Sequence, residues 1–129
     1  MSDKFTVEII SPDQTILKQE TSEATIPCYE GQMGILKNHI PLITFLRPGI
    51  IKIKTDVEKN YYVEEGTVEF SDNNLLILTS TAKDLANFEK NQIDDLIKKE
   101  EENLKNTNIS DKDKYITSYK IQTLKEINQ

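Results

Sequence analysis

Apolar and polar side chains alternate along the first two thirds of the chain, and then the period changes. Phe5, Val7 and Ile9 alternate with Thr6 and Glu8, the period of two by which a strand sets one face on a core and the other in water. Ser11-Pro12-Asp13 breaks the run as a turn does, and Thr15 to Lys18 opens a second strand. Ala24, Ile26 and Cys28 alternate with Glu23, Thr25 and Pro27 to predict a third. Leu42 to Leu46 predict a fourth, and Ile51 and Ile53 between Lys52 and Lys54 a fifth. Tyr61 to Val63 and Val68 to Phe70 form two more, joined through Glu64-Glu65-Gly66-Thr67 as a hairpin or bulge, so Tyr61 and Tyr62 are expected on opposite faces, one in the core and one at the surface. Beyond Ser71-Asp72-Asn73-Asn74, the unbroken apolar run Leu75 to Leu78 predicts a strand covered on both faces. Turns recurring about every ten residues indicate an antiparallel sandwich or barrel.

From Thr81 the spacing becomes helical. Ile93, Leu96, Ile97 and Leu104 fall on one side of a helix over about Asn91 to Leu104, with Lys98 to Glu102 mostly outside. Asn106-Thr107-Asn108 interrupts. Ser110 followed by Asp113 resembles a capping box, and Ile116, Tyr119, Leu124 and Ile127 make a second stripe. The predicted class is therefore α+β: an antiparallel β-sandwich or flattened barrel over residues 1–82, then an antiparallel αα-hairpin over 83–129. Each helix offers roughly four good apolar side chains, worth about 1.5 to 3 kcal/mol apiece if fully buried. Ordering costs about 1 to 2 kcal/mol per residue before helical hydrogen bonds are credited. The hairpin is thus expected to be thinly anchored, its position depending on what it docks against.

Between Pro27 and Gly49 the chain concentrates Gly31, Gly34, Pro41, Pro48 and Gly49 around its single histidine, His39. Glycine reaches backbone conformations that other residues resist and proline fixes φ, so a shaped loop is expected here. The chemistry on offer is sparse. His39 with Glu30 is the one acid–base pair worth weighing, and a small hydrolase or isomerase using them is the enzyme reading; without a second histidine or a nucleophile elbow, a structural histidine is the stronger one. Cys28, in an alternating strand without a basic neighbour, reads as a core residue. No His, Cys and carboxylate set has metal-ligand spacing, and no cofactor is expected. The net charge of -6 includes no basic half, which argues against nucleic acid. With no apolar run of roughly eighteen residues and no signal-like start, neither membrane insertion nor secretion is expected.

The order Gly31, Gly34, Ile35, Leu36, His39, Pro41, Leu42, Ile43, Thr44, Leu46, Pro48, Gly49 reads G-x-x-G-[IV]-L-x-x-H-x-P-L-[IL]-T-x-L-x-P-G, and it resembles the epsilon subunit of rotary F-type ATP synthases. Tyr62 to Phe70 is similar to that family's V-x-G-G-x-x-E-V segment, and Asn74 to Ala82 to its N-x-V-T-V-L-A-D-x-A strand. The resemblance implies a noncatalytic rotor part whose sandwich binds the gamma subunit and rests on the ring of membrane-embedded c subunits through the loop of Glu30, Gln32 and His39. It implies helices that reach transiently toward the alpha and beta subunits and oppose ATP hydrolysis. It also implies a peripheral place on the cytoplasmic face of a bacterial inner membrane. Lys37 stands where many members carry proline, Glu65 replaces the first glycine of a pair, and the tail has no alanine after Ala86. Some members bind ATP through I-D-x-x-R-A; Ile93-Asp94-Asp95-Leu96-Ile97-Lys98 lacks the arginine, so nucleotide binding is not implied. A free-standing sandwich adaptor with a helical partner-binding tail is the alternative reading.

Overall fold

The computed structural model describes residues 3–106 and 108–128. Ten strands form one sheet: β1 (Phe5–Ile10), β2 (Thr15–Thr21), β3 (Glu23–Cys28), β4 (Gly31–Ile35), β5 (Leu42–Leu46), β6 (Gly49–Lys54), β7 (Glu58–Val63), β8 (Gly66–Ser71), β9 (Asn74–Leu78) and β10 (Lys83–Asp84). Their order is β10-β7-β6-β3-β5-β8-β9-β1-β2, with β4 beside β3. Neighbours run antiparallel except β1 and β9, which are parallel. At β3 and β5 the ladder narrows to one register pair, Cys28 opposite Leu46. There the sheet folds over, and the inner faces of both halves share one core that includes Val7, Ile9, Ile26, Ile51, Ile53, Phe70, Leu75 and Ile77. The β2 edge is also tied across to β6 and β7: Thr21 Oγ1 donates to the Lys54 carbonyl at 2.8 Å and Lys59 Nζ to Gln19 Oε1 at 3.0 Å. The result is the flattened barrel that the alternation predicted.

Three expectations are corrected. Gly31 to Ile35, expected as loop, is strand β4, in register with β3 from Cys28 opposite Gly31 to Ala24 opposite Ile35. The turn is made by Tyr29 and Glu30, and Gly31 holds the positive φ of 122° that closes it. Gly34 lies within that strand opposite Thr25 and forms no turn. Gly49 is needed for close approach, because a Cβ there would lie 2.5 Å from Pro27 Cβ. Tyr61 and Tyr62 are both buried, since the face that Tyr62 presents is covered by the helices. Leu75 to Leu78 is covered on one side only: Leu75 and Ile77 are in the core, while Leu76 is half-buried and Leu78 exposed.

After β10 a 3₁₀ turn (Leu85–Asn87) is capped by Asp84, whose Oδ1 accepts from the Ala86 N–H at 2.9 Å. Helix α1 (Lys90–Leu104) begins where Gln92 Oε1 accepts from the Glu89 N–H at 3.2 Å. Helix α2 (Asp111–Ile127) begins at Ser110, whose Oγ accepts from the Asp113 N–H at 3.1 Å. Asp111 and Asp113 in its first turn complement the helix dipole. Of the Asn106-Thr107-Asn108 break, Thr107 lies outside the described residues, as do Met1, Ser2 and Gln129. Within the expected stripes Ile93, Ile97 and Leu124 are buried, and Leu96, Leu104, Ile116, Tyr119 and Ile127 are half-buried. Ile121 is buried too, one turn beyond Thr117; that buried threonine interrupts the apolar spacing and hides the second row of the stripe.

Candidate subunit interface

The outward face of β5, β8 and β9 is apolar and open. On β5, Ile43 is 76% exposed and Phe45 60% exposed; the register sets Ile43 opposite Glu69 and Phe45 opposite Thr67. Across β8, the same rows continue to Leu76 and Leu78. One strand face thus carries four large apolar side chains with a glutamate and a threonine between them. The β7–β8 turn and the residues after β9 frame one end of this face, where Thr79 Oγ1 donates to the Glu65 carbonyl and Thr81 Oγ1 accepts from the Glu64 N–H at 3.0 Å. These hydrogen bonds tie the β7–β8 turn to the segment that follows β9.

The residues singled out from sequence are distributed over the sandwich. Glu30 lies in the β3–β4 turn and its Oε2 accepts from Thr44 Oγ1 at 3.5 Å. His39 lies beyond the other end of β4, with Nδ1 2.7 Å from the Ile40 carbonyl and its ring edge-on to Phe70 at 5.8 Å. A five-residue strand separates them, about 16 Å of chain. They form no acid–base pair, so the hydrolase or isomerase reading loses its site. Next to His39, Asn38 (φ 66°) and Asn73 lock two turns together: the Asn38 N–H donates to Asn73 Oδ1 at 2.7 Å and Asn73 Nδ2 to Asn38 Oδ1 at 3.1 Å. Pro41 is exposed immediately before β5, and the apolar side chains of Leu36 and Ile40 project from the same end. Gln32 faces elsewhere, into a crevice of about 160 Å³ beneath α2 that Arg47, Lys52, Tyr119 and Glu126 also line.

Helix α2 is held to the β3–β4 end by aromatic contacts that the stripe did not forecast. The Arg47 guanidinium lies over the Tyr119 ring, 4.3 Å from its centroid. Tyr119 meets Tyr115 at 4.8 Å, and Tyr115 stacks on Tyr29 at 6.0 Å. The buried Pro48 carbonyl accepts from Arg47 Nη1 at 3.1 Å and from Thr123 Oγ1 at 3.5 Å. A second seam lies over Tyr62, which is in a cluster with Phe88, Ile93, Ile97 and Leu124. Burial, then the neighbouring Glu64 carboxylate, hold the Tyr62 hydroxyl far above its ordinary value. The Cys28 thiol is likewise pushed up, chiefly by burial. Among the described residues no three His, Cys, Asp or Glu side chains gather as metal ligands, and no helix is long and apolar enough to cross a membrane.

The family model of the ATP synthase delta/epsilon chain, beta-sandwich domain, matches residues 4–84. An ATP synthase epsilon chain of Pelagibacter ubique is 47% identical over 130 residues, covering 99% of this chain and 100% of that protein. The chain belongs to the ATP synthase epsilon-chain family. A second family member, from Dichelobacter nodosus, is 37% identical over 72% of this chain and 66% of its own length. Among solved structures, a chain of the Euglena gracilis mitochondrial ATP synthase, determined as its OSCP/F1/c-ring in one rotational state, superposes with a TM-score of 0.81 at 18% identity. That match covers 100% of this chain and 84% of the other. A chain from the central stalk and c-ring of the Tetrahymena thermophila mitochondrial enzyme gives 0.66 at 17% identity, over 96% of both. At such identities these likenesses speak for the fold alone, and they extend over the helices as well as the sandwich. The family match ends at Asp84, where β10 also ends.

Proposed function

We propose that the chain is a noncatalytic central-stalk subunit that couples rotation of the c-ring to ATP synthesis through the gamma subunit. One observation carries this reading: a rigid sandwich leaves Ile43, Phe45 and Leu78 exposed, with Leu76 half-buried beside them, on one strand face. A contiguous apolar face rimmed by polar groups is what a stable protein interface requires, and gamma is its proposed occupant. Torque passes through a body that does not deform, and a folded-over sheet with a single continuous core is such a body. The sandwich ends would rest on the c-ring, with Glu30 at one turn and His39 at the other, and Gln32 lying nearer α2. Residues 1–82 and 83–129 act as two units in this reading, the second a regulatory hairpin that reaches transiently to the alpha and beta subunits and opposes ATP hydrolysis. The assembled enzyme would hold the chain peripherally at the cytoplasmic face of a bacterial inner membrane.

The test is binding to a gamma-containing catalytic subcomplex, with ATP hydrolysis followed in the same samples. Full-length chain and a chain ending at Asp84, which keeps β10, are both expected to bind, and only the full-length form is expected to slow hydrolysis. Ile43→Asp with Phe45→Asp is expected to weaken binding at least about tenfold, since a charge is placed in a desolvated contact. No binding by either parental form would remove the rotor reading and favour the adaptor. Undiminished binding by the double variant would move the gamma surface elsewhere.

A further inference from the structure

Where the hairpin crosses the sandwich, one ammonium sits between two carboxylates. Lys120 Nζ of α2 is 3.7 Å from Glu100 Oε1 of α1 and 4.0 Å from Glu64 Oε1, one residue past β7. Glu100 is only 6% exposed, the one buried charged side chain among the described residues. The remaining oxygens are satisfied locally: Tyr62 Oη donates to Glu64 Oε2 at 3.0 Å, and Asn103 Nδ2 donates to Glu100 Oε2 at 3.3 Å. Each carboxylate is therefore fixed by a neutral donor from its own segment. Lys120 is the charged group that bridges sandwich, α1 and α2, beside the apolar seam of Tyr62, Ile93, Ile97 and Leu124.

A buried carboxylate is tolerated when paired, and removing its partner leaves an uncompensated charge in a poorly solvated place. The two carboxylate oxygens lie within about 8 Å of each other. Without the ammonium they repel, and separation of the hairpin from Glu64 relieves both the repulsion and the desolvation of Glu100. We infer that Lys120 is a charged clasp that holds both helices on the sandwich, so that loss of its charge releases the hairpin. Its regulatory meaning rests on the proposed role of the hairpin, but the clasp is a property of the isolated chain. Failure to bind gamma would leave it standing, and its failure would leave gamma binding standing.

The test is amide hydrogen exchange on the full chain at neutral pH. Lys120→Gln is expected to lower protection in α1 and α2 by about tenfold to a hundredfold, the lower figure reflecting the partial exposure of Lys120 and Glu64. Amides of β1, β8 and β9 should keep their parental protection. The neutral variant Lys120→Met with Glu64→Gln and Glu100→Gln removes attraction and repulsion together and is expected to recover most of the loss. Helix protection in Lys120→Gln within about twofold of the parent would overturn the clasp. So would a neutral variant as open as Lys120→Gln, because the lysine would then act through packing. If Lys120→Gln loosens the sandwich as well, recovery in the neutral variant still supports the clasp and its absence overturns it.

Discussion

The sandwich and the hairpin are built from the same chain by different means. In the sandwich seventeen buried side chains form one cluster, drawn from every strand except β4's outer residues and β10. In the hairpin five do, and two of these, Tyr62 and Phe88, are not on the helices at all. What the helices lack in apolar area is replaced by particular contacts: the Arg47–Tyr119 cation–π pair, the Tyr29–Tyr115 stack and the Lys120 clasp. A broad core fails only as a whole, whereas a seam of a few specific contacts opens when one of them is changed. That difference suits the proposed roles, a body that transmits torque and an appendage that regulates, and each half can be attacked separately.

The largest effect is expected in the sandwich. Phe70 is almost fully buried, and its ring meets Phe5 edge-on at 5.7 Å and His39 at 5.8 Å. Phe70→Ala should cost about 3 to 5 kcal/mol, read as a shift of the denaturant midpoint for the chain ending at Asp84 and for the full chain alike. Equal losses in the two forms would show a core independent of the hairpin. A much smaller loss in the full chain would mean that the hairpin shares the burden of the sandwich core. Next in size is Leu124→Ala, which opens a cavity at the fully buried position of the hairpin seam. Its cost of about 2 to 3 kcal/mol should appear as faster hydrogen exchange in α1 and α2, with the sandwich strands unchanged.

How far these two regions were legible in the sequence follows the same division. Strict alternation marked β1, β3 and β6, because a strand with one wet face writes its burial as a period of two. β4 was hidden because Gly31 and Gly34 read as loop formers, and glycine carries no side chain by which to show a strand face. The run Leu75 to Leu78 reads in sequence as doubly covered, but its outer half belongs to the open face, and an apolar outer face looks in sequence like a buried one. The hairpin was found by its period, but its anchors were not: Arg47 and Tyr119 are seventy-two positions apart, and nothing local announces that pairing. Thr117 and Thr123 masked the buried row that holds Ile121. The Glu30, Gln32 and His39 group followed from resemblance, and only the structure shows them at separate places.

Alkaline pH separates the regions by a smaller amount. Tyr62 and Tyr61 both have hydroxyls held above the ordinary value of 10.0, each chiefly by burial. An unfolded or undocked chain would ionise them near that value while the folded chain keeps the proton. Their contribution is therefore complete well below pH 10 and is lost as pH rises past it, for Tyr62 by up to about 1.4 kcal/mol per pH unit. Tyr62→Phe should remove its share of that slope for the hairpin, seen as flatter loss of helix protection between about pH 10 and 11. An unchanged slope would place Tyr62 outside the seam.

The smallest effect concerns the aromatic anchor, and it is the most discriminating because it asks whether a single surface-side contact positions α2. Arg47 is the only arginine of the chain. Its guanidinium serves two partners, the Tyr119 ring at 4.3 Å and the Pro48 carbonyl at 3.1 Å. Arg47→Lys keeps the charge but gives up the planar group that stacks on the ring. A loss of about 0.5 to 1 kcal/mol is expected, confined to α2 protection and absent from the chain ending at Asp84. Tyr119→Leu gives up the same contact together with its edge to Tyr115, so its loss should be somewhat larger, and both changes combined should cost less than the sum of the two, since the shared contact is lost only once. Additive losses would mean that Arg47 and Tyr119 hold the helix through different partners. The crevice that Gln32 and Lys52 also line would then be the place where the remaining contact is made.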